Sequence, residues 1–262
     1  MPAPKGDRMR MVTRTVPRPR AASGSSRSRR HIEAPDIWGP EAWLNPRPGI
    51  KVRELYGSDD GYCISLVRYA PGARVPEHYH AGDEHGYVLE GSILDTSGES
   101  ACGTYLMRPM GSRHRVWSER GALVLTHRLG PIRFLPGWIP GPSAPPDALG
   151  YPGDRPPISL GTGNEGAAWE ELRPGVRILP LFEGPPGNYK TALMRYLPGA
   201  TVPAHIHLGD EHVYVLTGGQ EDEFGAYDSG AYIYNPVGTT HRVWSEEGCL
   251  ALVHWRAPER YL

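Results

Sequence analysis

One block of sequence occurs twice, and that duplication constrains the fold more than any other feature. Gly72-x5-His78-x-His80-x3-Glu84-x6-Gly91 returns as Gly199-x5-His205-x-His207-x3-Glu211-x6-Gly218. A second block, Gly103-x5-Pro109-x-Gly111-x2-His114, returns as Gly230-x5-Pro236-x-Gly238-x2-His241. The offset is constant over positions 72–127, and about 30 of those 56 positions are identical, far above what shared composition gives. A chain of 262 residues carrying such a repeat divides into two similar domains.

Within each repeat the apolar residues alternate with period two, and turn residues separate the runs. Strands are expected at Ile50–Tyr56, Tyr62–Tyr69, Gly86–Leu89, Tyr105–Arg108, Arg115–Ser118 and Leu123–Arg128. Turns are expected at Pro71-Gly72, Ser97-Gly98 and Pro109–Gly111. Nothing of helix length intervenes, so the class is all-β, with two antiparallel barrels or jelly rolls. The domains run over 35–136 and 167–262. Residues 137–166, rich in Pro and Gly, read as a linker. Residues 1–34 combine Arg, Pro and Ser with few large apolar residues, and read as a disordered basic tail.

The repeated blocks carry metal-ligand chemistry. His78 and His80 lie two apart on a strand, which puts both rings on one face. Glu84 follows a short turn that can return its carboxylate over the pair. His114 arrives from another strand after a tight Pro-x-Gly turn. His205, His207, Glu211 and His241 repeat the set. Three nitrogens and one oxygen converging in a barrel suit Fe(II), Mn, Ni, Cu or Zn, and resemble the two-His-one-carboxylate triad with one extra His.

These two motifs resemble those of the cupin superfamily, whose trailing Asn is replaced here by Ser118 and Ser245. The flanking text, Trp169-Glu-Glu-Leu-Arg-Pro-Gly-Val-Arg and His241-Arg-Val-Trp-Ser-Glu-Glu-Gly-Cys-Leu, is similar to the cupin domain of ChrR-type anti-sigma factors. The resemblance implies a tandem bicupin of two double-stranded β-helix barrels, each holding one metal, most often iron, on the eight residues above. In some members three His hold the metal without the Glu. It implies a non-heme Fe(II) dioxygenase cleaving a C–C bond in a small diketone or hydroxyketone, with dioxygen as co-substrate. A Mn-dependent decarboxylase or isomerase is the alternative within bicupins, for which Asp147, Asp154 and Glu165 are the linker's acid candidates. A ChrR-like metal sensor is the non-enzymatic alternative, but the His-x3-Cys-x2-Cys element of those proteins does not occur in this chain.

Other residues near the motifs have structural readings as well as chemical ones. His85 and His212 should point away from the metal, toward a supporting or domain-interface role. His127 and His254 either line the pocket mouth as acid–base groups or are ordinary strand residues. Asp83 and Asp210 fit turn chemistry. Trp117, Trp244, Tyr105 and Tyr232 fit core or rim packing. Arg108, with Met107 and Met110, distinguishes the first pocket from Tyr234, Asn235 and Val237 of the second; it either pairs with an anionic substrate or lies solvated on the surface.

Charge bounds the partners. Residues 1–31 hold nine Lys/Arg against one Asp, so with an overall charge of -1 the remainder is acidic, which argues against a nucleic-acid-binding core. No apolar run reaches the length of a membrane span. Cys63, Cys102 and Cys249 are odd in number and scattered, fitting a reducing, cytoplasmic setting without disulfides. Two barrels in one chain are compatible with a monomer or a homodimer.

Overall fold

A computed structural model describes residues 30–39, 42–59, 61–134, 158–161, 168–184 and 189–262. The repeats fold into two curled antiparallel β-sandwiches of the same plan. The first contains Ile50–Gly57, Cys63–Tyr69, Arg74–His80, Glu84–Asp95, Thr104–Arg108, Arg113–Trp117, Ala122–Arg128 and Ile132–Phe134. The second repeats them from Val176–Glu183 to Glu259–Tyr261. These are the two tandem jelly-roll barrels expected from the sequence.

The longest strand of each barrel joins its two sheets. The first half of Glu84–Asp95 pairs with Thr104–Arg108 and Ala122–Arg128, and its second half with Gly98–Ala101 and Trp117. Gly91 sits at the corner with φ 65°, and a Cβ there would lie 2.0 Å from the carbonyl oxygen of Gly121. Only glycine tolerates both the angle and the approach. Gly218 repeats this against Gly248.

Cys63–Tyr69 and Lys190–Tyr196 are buried on both faces because each barrel covers the other. One face packs inside its own barrel. The other joins a shared core in which Leu55, Leu66 and Leu125 of the first repeat meet Leu181, Leu193 and Leu252 of the second.

Two segments read as lying outside the barrels contribute strands to them, and they do so reciprocally. Arg30–Ile32, within the presumed tail, pairs with Tyr232–Asn235 of the second barrel. Ile158–Gly161, within the presumed linker, pairs with Thr104–Arg108 of the first. Each satisfies the open edge of the strand it joins. Runs of three or four residues are too short for periodicity to reveal. The short helix Ala34–Trp38 places Ile37 in the inter-barrel core, and Trp38 stacks on Trp43. Residues 1–29 and the other parts of the linker fall outside the described residues. No helix among the described residues is long and apolar enough to cross a membrane.

Candidate metal centres

The first barrel brings His78, His80 and His114 together, with ligand atoms all within 4.8 Å of one another. His78 lies opposite His114 in register, and a bulge between Val75 and His78 adjusts the strand just before the pair. The chain then fixes the ring nitrogens. His78 Nδ1–H donates to the Pro76 carbonyl at 2.8 Å, and His114 Nδ1–H donates to Asp95 Oδ2 at 3.2 Å. A carbonyl and a carboxylate only accept, so the proton of each ring is held on Nδ1 and the Nε2 lone pair is left for a metal.

His80 Nε2 lies 3.0 Å from His114 Nε2. Two nitrogens each about 2.1 Å from one ion and at right angles stand about 3.0 Å apart, so this spacing fits a shared metal. Burial, with the neighbouring His114, pushes His78 down to about 3. Burial pushes His80 down to about 4 against the opposing charge of Glu84. Both rings are therefore neutral at pH 7, the form a metal requires.

The second barrel repeats the arrangement with His205, His207 and His241. His207 Nε2 and His241 Nε2 are 2.9 Å apart. His205 Nδ1–H donates to the Pro203 carbonyl, and His241 Nδ1–H to Asp222 Oδ2 at 3.0 Å. The Tyr227 hydroxyl donates to the other oxygen of Asp222 at 2.9 Å.

The carboxylates differ between barrels. Glu84 Oε2 lies 3.8 Å from His80 Nδ1, the nitrogen on the far side of the ring from His114. Burial would push this carboxyl up, but His80, His114 and Arg128 outweigh it and hold it below its ordinary value. Glu211 Oε2 instead lies 3.6 Å from His207 Nε2, on the side facing His241, and accepts a hydrogen bond from Asn235 Nδ2 at 2.7 Å. Glu211 also groups with His207 and Glu259 within 4.8 Å. Glu84 joins no such group among the described residues.

Sequence reasoning missed Asp95, Asp222 and Glu259. The aspartates had a signal, for they are identical at the repeat offset and lie 19 residues before His114 and His241. Glu259 had none, because the first repeat has Ile132 in its place. Glu259 enters from the last strand, opposite His207, and accepts a hydrogen bond from Trp255 Nε1 at 2.8 Å. Burial, with the charge of Glu211, raises its carboxyl above the ordinary value.

A cavity of about 60 Å³ opens beside the second centre. It is lined by His205, Glu211, His241 and Glu259 with apolar walls that include Met194 and Val243. Tyr261 caps it, with the Arg173 guanidinium 4.4 Å from the Tyr261 ring centroid. A larger cavity, about 500 Å³, lies elsewhere on the first barrel against Arg68, Glu90 and Arg120 and touches no histidine.

The remaining residues fall as follows. His85 and His212 turn toward the inter-barrel interface, bonded to the Tyr105 and Tyr232 hydroxyls at 2.5 and 2.7 Å. His127 and His254 are buried there too, so neither lines a pocket mouth. Their strand is covered by the other barrel, which sequence alone does not reveal. Asp83 accepts from the Met110 backbone and the Tyr189 hydroxyl, and Asp210 from the Val237 backbone. Arg108 is not a surface residue; it is buried and paired with Asp95. Trp117 and Trp244 are half-buried, and Trp244 donates to Glu221. Cys63, Cys102 and Cys249 are all free thiols. Asp147, Asp154 and Glu165 lie outside the described residues.

Both repeats match the model of the ChrR cupin-like domain, over residues 39–133 and 162–257. A presumed dioxygenase from Nostoc punctiforme shares the fold with a TM-score of 0.70 at 18% identity, over 88% of this chain and 83% of that one. Oxalate decarboxylase from Bacillus subtilis aligns with a TM-score of 0.61 at 18% identity, over 91% and 80% of the two chains. No curated protein sequence matches the chain.

Proposed function

The chain belongs to the family of ChrR cupin-like domains, and we propose that it is a metal-dependent oxygenase cleaving a C–C bond in a small diketone or hydroxyketone. The observation that carries this reading is the cavity of about 60 Å³ against His205 and His241 of the second histidine triad. Its walls are largely apolar, as a small organic substrate requires.

The charge of the lining separates this reading from the decarboxylase one. Among the described residues no Lys or Arg lines the cavity, while Glu211 and Glu259 do. A dicarboxylate such as oxalate would meet two carboxylates and no guanidinium there. A neutral diketone meets no such repulsion.

In this reading His205, His207 and His241 hold the metal of the second barrel, with Glu211 beside them, and His78, His80, Glu84 and His114 form the corresponding set of the first. Iron is the ion the oxygenase reading requires. A bound metal supplies Lewis acidity and a template that brings dioxygen beside an electron-rich carbon. Asp222 and the Pro203 carbonyl keep the protons of His241 and His205 on Nδ1, away from the reacting side. Met194, Val243 and Tyr261 form part of the cavity wall. The products are an acid and an aldehyde, or two acids, with both oxygen atoms of dioxygen incorporated.

The test is oxygen uptake by Fe(II)-loaded protein with acetylacetone and with hydroxyketones. Uptake stoichiometric with substrate loss, abolished by His205→Ala, supports the proposal. No uptake with any of them, combined with release of carbon dioxide from oxalate, replaces it with the decarboxylase.

A further inference from the structure

The two centres share three histidines and a glutamate, and they differ in what flanks the glutamate. Glu84 lies between two strands that place Arg108 on one side and Arg128 on the other, each in register with it. Glu211 lies between Asn235 and Trp255 at the same register positions. Opposite the second ligand histidine, the first barrel has Ile132 beside His80 and the second has Glu259 beside His207. The first centre is thus a histidine triad with Asp95 behind His114 and Glu84 behind His80, and Glu84 has Arg108 and Arg128 as its cross-strand neighbours. The second adds two carboxylates to the triad and lacks both guanidiniums.

Glu211 and Glu259 have ligand oxygens within 4.8 Å of each other and of His207. Among the described residues neither Lys nor Arg lines the cavity they share. A buried and a half-buried carboxylate so placed favour a proton or a cation between them. Trp255 donates to Glu259 Oε1, the Tyr261 hydroxyl donates to Glu259 Oε2 at 3.5 Å, and Asn235 donates to Glu211 Oε2.

We infer that Glu259 is a metal ligand of the second centre with no counterpart in the first, so that the two barrels select different ions. The second, with its added oxygen donors and negative charge, takes a hard divalent ion such as Mn(II) or Fe(II). The first, a neutral histidine triad, takes nitrogen-preferring ions such as Zn(II), Ni(II) or Cu(II). The inference rests on the metal-binding part of the proposed function and not on the oxygenase chemistry.

Mn(II) is the probe. The metal-free full chain is titrated with Mn(II), and the free ion is counted by electron paramagnetic resonance. The expected result is one tight equivalent, weakened at least tenfold in Glu259→Gln, a variant that keeps the hydrogen bond from Trp255. A parallel zinc titration of Glu259→Gln should retain two equivalents, showing that both triads remain assembled. Two equal Mn(II) sites, unchanged Mn(II) affinity in Glu259→Gln, or loss of zinc along with manganese would each overturn the inference. If the manganese pattern holds while no diketone supports oxygen uptake, the oxygenase reading fails and the ligand assignment stands.

Discussion

His127 of the first repeat and His254 of the second meet across the inter-barrel interface, with ring centroids 4.1 Å apart. Register places them beside His85 and His212, so four imidazoles from the two repeats share one buried cluster. Neither ring nitrogen of His127 has a hydrogen-bond partner among the described residues. Burial, with the neighbouring imidazoles of the cluster, holds both far below the ordinary imidazole range.

Stability should therefore fall on acidification. In the unfolded chain these histidines take up protons below about pH 6.5, while in the fold they remain neutral. The unfolded state then binds more protons, so stability drops as pH falls through that value and is flat above it. Tyr62, Tyr189 and Arg256 also face the cluster, and none supplies the negative charge that would reverse the sign. Thermal melts at pH 8, 6.5 and 5 should show a plateau and then a decline. His127→Phe, which breaks no hydrogen bond, should match or exceed the wild type at pH 8 by up to about 1 kcal/mol and lessen the decline. A wild-type melting temperature constant down to pH 5 would contradict this account.

The barrels and the histidine triads were legible in the sequence because each rests on spacing. A period of two gave the strands, and His-x-His with a later His after Pro-x-Gly gave the triads. The interface was not legible. His127 looks the same whether its strand faces solvent or another barrel, and only the shared core around Leu66 and Leu193 shows which. Glu84 shows a different limit. Its position in the motif is identical to that of Glu211, but its cross-strand neighbours are Arg108 and Arg128, where the second repeat has Asn235 and Trp255.

The exchanged strands predict an effect of truncation. Removing residues 1–33 deletes Arg30–Ile32, opens the edge at Tyr232–Asn235, and loses the burial of Ile32 in the inter-barrel core. Burying such a side chain contributes about 2 kcal/mol. With the lost strand pairing, a fall in melting temperature of roughly 5–10 °C is expected for a domain of this size. An unchanged melting curve would mean the strand adds nothing to the second barrel.

Gly91 and Gly72 should respond differently to alanine. Both have positive φ, at 65° and 77°, so each substitution carries the left-handed penalty of about 1–2 kcal/mol. At Gly72 the added Cβ meets nothing within 4 Å, whereas at Gly91 it meets the Gly121 carbonyl oxygen at 2.0 Å. Gly72→Ala should fold with a modest loss in denaturant midpoint. Gly91→Ala should lose more than about 4 kcal/mol or fail to fold, because the long strand can no longer turn from one sheet to the other. Equal effects would remove the corner as the reason for this glycine.

Asp222 tests whether the hydrogen bond behind a candidate ligand histidine matters for metal binding. Its Oδ2 holds the His241 proton on Nδ1, and the Tyr227 hydroxyl and the Phe224 and Gly225 backbone N–H groups hold the other oxygen. Asp222→Asn keeps the shape but removes the charge, and can present an N–H toward His241 that favours the wrong tautomer. Partners of this kind are worth about 10–100-fold in metal affinity, and a loss in that range is expected by chelator competition for the second centre alone. Asp95→Asn should act on the first centre but with an added cost, because Arg108 is buried and also pairs with that carboxylate. The aspartate variants should thus separate in stability while matching in metal loss. Full metal affinity in Asp222→Asn would show that the ring is oriented by packing rather than by this bond.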